Sequence, residues 1–309
     1  MSSNSSLFLL WILQLGLGLP GRAQSGGRVE IVDLTGRFLA FYDSATARHA
    51  DPDQRWQLWR RLYNFAAVPP TPFGDSLARH LLDSAWTKYR AALPTIERGP
   101  AGLGISPDSG LERVLGLLKC GDSVKLRVTV FVGGFEGNAF AFGVTNDRSN
   151  IAIPVEAGNP ARSVIHEFTH AVHRAGCASF RTGYGGSLAE LVVTEGLAMR
   201  VVQAALPGYD DEFYTAAAPG WLAAARSRRT DILAGVRAHL NDSGPDVARR
   251  FTFGKGMTGL SREAYYAGWE VVGAMLRDGR SLHEIATLSP SEYATVVGGV
   301  IDNLVASSR

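Results

Sequence analysis

Cysteine is scarce. Only Cys120 and Cys177 occur in 309 residues, and neither belongs to a Cys-x-x-Cys pair. Structural zinc folds built on thiolates are therefore unsupported. There is no long basic run, and the formal net charge is only +2, which argues against a nucleic-acid binder. The glycine-rich stretch at residues 253–259, FGKGMTG, lacks the Lys-Ser/Thr ending of a phosphate loop, so no nucleotide site is expected there. Long apolar runs are also missing, apart from residues 7–20, and that one is short for a bilayer span. With 46% hydrophobic residues, the chain has the composition of a soluble globular protein, enough for one large domain or two small ones.

The apolar run LFLLWILQLGLGLP is followed by Gly21-Arg22-Ala23, the small-x-small form of a signal-peptidase site. Residues 1–23 are thus expected to be a secretory signal cut after Ala23, although no Lys or Arg precedes the run; the alternative is an uncleaved anchor. The mature chain is expected to be secreted or periplasmic, with no stable membrane insertion. An exported chain can form disulfides, and a Cys120–Cys177 bridge is expected. It would join the end of one helix to the start of the sheet before it, restricting the unfolded chain by roughly 4 kcal/mol in the loop-entropy model.

What the sequence does contain is concentrated in residues 159–176, NPARSVIHEFTHAVHRAG, which reads as one helix. Asn159 suits the N-cap, Pro160 the first helical position and Gly176 a left-handed C-terminal cap. His166 and His170 are four residues apart, so their imidazoles project from one face within reach of one ion. Two neutral imidazoles suit Zn²⁺ and leave room for a third protein ligand and a water. Glu167, beside them, is placed to act as a base on such a water. Taken alone, HExxH also arises by chance in long helices, so its context decides.

Residues 185–206, GGSLAELVVTEGLAMRVVQAAL, read as a second helix with an apolar stripe of Leu188, Leu191, Val192, Ala198, Met199 and Val202. Glu195 falls in that stripe. A lone carboxylate on a core face is costly unless its charge is compensated, which a metal ion would do. Glu190 has a simpler explanation, because Ser187 and Glu190 have the spacing of a capping box. Glu195 is accordingly expected as the third ligand; pairing with Arg174 or Arg200 is the alternative.

HEFTH followed by TEGLA resembles the gluzincin group of zinc metallopeptidases, in which the glutamate of a downstream Glu-Gly motif completes a His, His, Glu site. More narrowly, the chain resembles a family of predicted zinc-dependent proteases that add a Gly-Tyr-x-x-Gly-Tyr-like motif near the C-terminus. Here that segment reads Ala264-Tyr265-Tyr266-Ala267-Gly268-Trp269, keeping Tyr265 and Gly268 but with Ala and Trp at the flanks. The resemblance covers about residues 124–276. It does not extend to the metzincins, because His173 stands where their glycine belongs and Gly176 where their third histidine belongs. It implies an α+β, zincin-like fold, with a small, mainly antiparallel sheet preceding the metal-binding helix. It also implies Zn²⁺ on His166, His170 and Glu195, with Glu167 as general base and then proton donor, acting on a peptide or protein substrate. Tyr265 could donate a hydrogen bond to the oxyanion; packing is its alternative role. A non-catalytic exported zinc module, or hydrolysis of a non-peptide amide, remains open.

Elsewhere, residues 28–34 read as a short strand. Residues 53–65 and 74–93 read as amphipathic helices, Trp56 and Trp59 being core residues. Residues 96–109 read as a loop and residues 111–119 as a helix. Residues 124–132 alternate as a half-buried strand, with further strands at 138–144 and 150–155. The resemblance makes 138–144 the candidate edge for binding an extended peptide, though an ordinary edge strand is at least as consistent. Residues 207–221 read as a loop, 222–240 and 262–276 as helical, and 281–305 as one or two helices. The organisation expected is a signal (1–23), an N-terminal helical region (24–119) and a catalytic region (120–309), with one continuous domain over the last two as the alternative.

Overall fold

The structure, a computed structural model, describes residues 22–68, 71–156, 158–177 and 186–307. The signal-peptide expectation falls almost wholly on residues outside the described ones. In chain order the elements are β1 (Arg22–Gly26), β2 (Val29–Asp33), α1 (Thr35–Ala47), α2 (Pro52–Leu62), α3 (Pro72–Ile96), α4 (Pro107–Leu118), β3 (Leu126–Phe131), β4 (Phe140–Thr145), β5 (Arg148–Pro154) and α5 (Pro160–Val172). They continue with α6 (Leu188–Ala205), α7 (Asp211–Thr215), α8 (Trp221–Ser227), α9 (Arg229–Ala238), α10 (Pro245–Thr252), α11 (Glu263–Arg277), α12 (Leu282–Ala286) and α13 (Tyr293–Ala306). The protein is α+β and mostly helical. Its described residues form two compact units, one of those up to Gly110 with those of 125–167, the other of those of 111–124 with those from Phe168 onward.

The first unit holds a five-stranded sheet of order β1-β2-β3-β5-β4. The expectation of a mainly antiparallel sheet is corrected here: β1–β2 and β4–β5 are antiparallel, but β2–β3 and β3–β5 are parallel. The reason is connectivity. β2 lies before the first helices, and that long helical excursion brings the chain back as a crossover, which parallel pairing requires. β5 then inserts between β3 and β4. The β4–β5 hairpin turns on Asn146 and Asp147, both at positive φ (50° and 62°), the backbone a tight two-residue hairpin favours. β3 reads as half-buried by alternation, yet it is buried almost throughout because it sits at the centre of the sheet. Its Arg127 keeps its charge paired with Glu30, its register partner on β2, at 3.0 Å.

Aromatic residues fill this unit's core. Phe38 of α1 is fully buried and packs edge-on against Phe41, Tyr63 and Tyr89 at 4.8–5.6 Å between ring centroids; a buried side chain of this size contributes about 2–3 kcal/mol. Of the stripe on α2, Trp59 is buried as expected, whereas Trp56, stacked on it at 4.9 Å, is only half-buried. The Tyr63 hydroxyl donates to the Val132 carbonyl (2.8 Å) and accepts from its N–H (2.7 Å), pinning the chain as it leaves β3. Asp51 and Gln54 form a capping box at α2, and Thr71 caps α3.

In the second unit α6 and α11 pack lengthwise. A Cβ on Gly196 would lie 2.4 Å from the Gly268 carbonyl oxygen, and one on Gly268 2.5 Å from the Val192 carbonyl oxygen. Both positions must lack a side chain for the helices to come this close. Arg200 locks the pair by donating to the Trp269 carbonyl (2.7 Å) with its guanidinium 3.4 Å from that ring's centroid. α6 is apolar nearly all round and correspondingly buried. Two stretches read as loops contain structure: residues 96–109 hold a 3₁₀ turn (Gly99–Leu103) and the start of α4, and residues 207–221 hold α7, capped by Asp210. Among the described residues, no helix is long and apolar enough to cross a membrane.

Candidate metal centre

The helix carrying His166 and His170 starts as its sequence dictates. Asn159 Oδ1 accepts from the Arg162 N–H at 3.3 Å, and Pro160 is the first helical residue. Its other end differs from expectation. Gly176 is not in the left-handed region; α5 instead runs into a π-helical turn, His173–Cys177. The glycine serves another purpose, since a Cβ there would lie 2.1 Å from Gly121 Cα. That approach lets Cys177 meet Cys120, and the two are joined in a disulfide with their Cα atoms 5.2 Å apart. A third tie comes from His173, buried at the same turn, with Nε2 3.1 Å from the Ala286 carbonyl oxygen. Burial, ahead of the nearby His170, pulls this imidazole down to about 3, so it is a neutral N–H donor at that carbonyl.

One turn apart on α5, His166 and His170 are brought together with Glu195 of α6. Their ligand atoms all lie within 4.8 Å of one another, a group that could hold a metal ion. His170 Nε2 is 3.6 Å from Glu195 Oε2, with the side chains 15% and 12% exposed. Such a site can be reached from solvent yet is largely desolvated. The donor set, two imidazole nitrogens and one carboxylate oxygen, matches three-ligand zinc sites that keep a position open. Atoms this close need only small side-chain adjustments to share one ion with bonds of about 2 Å. Glu167, 8% exposed, follows His166 directly and so lies about 100° round the helix from it.

Glu195 is positioned by packing. The residue after it, Gly196, sits at the α6–α11 contact, which holds this stretch of α6 against α11. Arg200, one candidate to neutralise Glu195, is committed to Trp269 and to Gln203 (2.8 Å). The other, Arg174, acts on Glu190, whose pKa burial raises and Arg174 lowers. Glu190 is outside the three-residue group; its backbone N–H is capped by Ser187 Oγ at 3.2 Å, the Ser half of the expected capping box. Tyr265 is also outside that group. It lies one turn before Gly268 on α11, half-buried, with the Arg262 guanidinium 3.7 Å from its ring centroid. His283 Nδ1–H donates to the Leu118 carbonyl oxygen at 2.7 Å, and His283 is outside the group.

Sequence reasoning missed the small-residue crossing at Gly196 and Gly268, although both glycines stand in the motifs that drew attention to Glu195 and Tyr265. It also missed the His173 tie; a histidine one turn past HExxH was the available signal. Comparison with protein-family models, curated proteins and solved structures found no match.

Proposed function

We propose that the protein is an exported zinc-dependent protease with a zincin-like arrangement, hydrolysing peptide bonds. One observation carries this reading: His166 and His170, on the helix that also bears Glu167, converge with Glu195 of α6 within 4.8 Å. Zn²⁺ would be held by those three side chains, and when bound it supplies a Lewis acid and a water of lowered pKa. The residues of the chain supply the rest. Glu167 accepts the proton of the attacking water and hands it to the leaving amine, a role worth roughly 10²–10⁴ in rate. Tyr265 donates a hydrogen bond to the developing oxyanion. A structural zinc site would need no carboxylate of this kind and normally closes its fourth position with protein.

The edge position of β4 supports binding of an extended peptide, since its outer side carries no strand partner among the described residues. The disulfide is consistent with export. The test is metal content by mass spectrometry alongside cleavage of a peptide library with and without a chelator. One zinc per chain and chelator-sensitive cleavage are expected. Zinc without cleavage of any peptide would replace the protease by a non-catalytic module or a hydrolase of other amides.

A further inference from the structure

The loop joining α10 to α11 has no part in the proposed chemistry, yet it is held as firmly as a binding element. Its neck is closed by Arg262 N–H donating to the Thr252 carbonyl at 2.7 Å, and its interior by Gly256 N–H donating to Leu260 at 2.8 Å. Glu263, fully buried, takes the N–H groups of Met257 and Thr258 and the Thr258 hydroxyl, each at 2.7 Å. Spending a buried carboxylate on so few residues fixes the loop's shape in advance. The shape it fixes displays Phe253, 65% exposed, and Met257, 44% exposed, on either side of exposed Lys255.

Around these two apolar side chains lie Arg228, Arg249 and Arg250, all exposed, the last donating to Met257 Sδ at 2.9 Å. Of the cations, Arg249 is paired with exposed Asp246 at 3.0 Å and Arg228 donates to the Thr258 carbonyl of the loop. Phe251 and Ala248 turn the opposite side of α10 into the core, so the cations and the loop tip share the outward side. A single exposed apolar side chain needs no explanation; a rigid tip with two, beside several cations, does.

We infer that this loop docks the protein on an anionic membrane surface, with Phe253 and Met257 dipping into the headgroup boundary and Arg228, Arg249, Arg250 and Lys255 meeting lipid phosphates. The size of the tip favours a bilayer over a protein. A specific protein interface buries on the order of 1,000 Å² or more, far beyond two side chains. Shallow insertion of a few apolar groups, backed by charge attraction, is sufficient at a lipid surface. The long cationic side chains can keep their heads among phosphates while their stems lie along the apolar layer.

The test is a probe at the tip itself. The two native cysteines being bridged, Phe253→Cys in the unreduced chain takes a single bimane label; Met257→Cys serves if the first variant does not fold. The labelled chain is titrated with vesicles of phosphatidylcholine alone and of phosphatidylcholine with one third phosphatidylglycerol. On the anionic vesicles alone, a blue-shifted emission shielded from acrylamide is expected. Arg249→Gln with Arg250→Gln should weaken that response by roughly 25-fold, from about a fivefold contribution per cation. A label that stays as quenchable as in buffer on both vesicle types would overturn the inference, whether or not the chain sediments with them. An equal response on neutral vesicles would overturn the anionic assignment.

Discussion

Replacing Cys120 and Cys177 with alanine removes the bridge that ties the end of α5 to the segment before β3. The closed loop is long, with a sequence separation of 57 residues, and contains β3, β4, β5 and all of α5. In the loop-entropy account a closure of this length restricts the unfolded chain by about 4 kcal/mol. For a protein of this size, whose unfolding entropy is on the order of 0.6 kcal/mol/K, that corresponds to a fall in Tm of roughly 6–8 °C. Gly121 and Gly176, already in contact, would survive the substitution, so the native approach is not held open by the sulfurs and little strain offsets the loss. Differential scanning calorimetry of the oxidised wild type and the double alanine variant measures it, with urea unfolding reporting whether the m-value changes. A fall of less than about 3 °C at unchanged m would refute the reasoning, because it would mean that the unfolded chain gains almost no freedom when the bridge is removed.

Ligand assignment makes a second prediction: Glu195→Ala should weaken zinc affinity by more than roughly 100-fold, beyond the usual effect of an outer-shell partner, whereas Glu190→Ala should change it less than about threefold. Competition with a chromogenic chelator reads both, and the reverse order would move the ligand to Glu190. A third concerns Glu156, just past β5, whose carboxyl is pushed up to about 7, chiefly by burial, against its ordinary 4.5. Because the folded state holds this proton more tightly, stability should fall as pH rises from about 4.5 to 7 and level off above, by up to ~3 kcal/mol. Glu156→Gln should abolish that slope in Tm against pH and gain stability at pH 8; an unchanged slope would contradict it.

Much of this was readable in the chain. The α5 start, the His166–His170 spacing and the Cys120–Cys177 pairing follow from short-range patterns or from the lack of alternatives, Ser187 capping the Glu190 N–H follows from their spacing, and the edge position of β4 came with the resemblance. The sheet's parallel centre was not readable, because β2 and β3 are separated by the first helices and alternation says nothing about which strands become neighbours. The end of α5 was misread for a related reason. Gly176 looks like a terminator by local rules, but its missing Cβ answers to Gly121, distant in sequence and adjacent in space. Likewise Gly196 and Gly268 each look like a weak point within a helix, and only their mutual contact explains them. Local preferences were informative wherever the constraint was local, and failed where packing set it.

The most direct test of the proposed chemistry is Glu167→Gln, which leaves His166, His170 and Glu195 in place while removing the base. Zinc content and peptide cleavage are measured on the same preparation, with wild type alongside. The account predicts wild-type zinc occupancy with cleavage lowered by roughly 10²–10⁴ or more. Full cleavage by a zinc-loaded Glu167→Gln protein would contradict it.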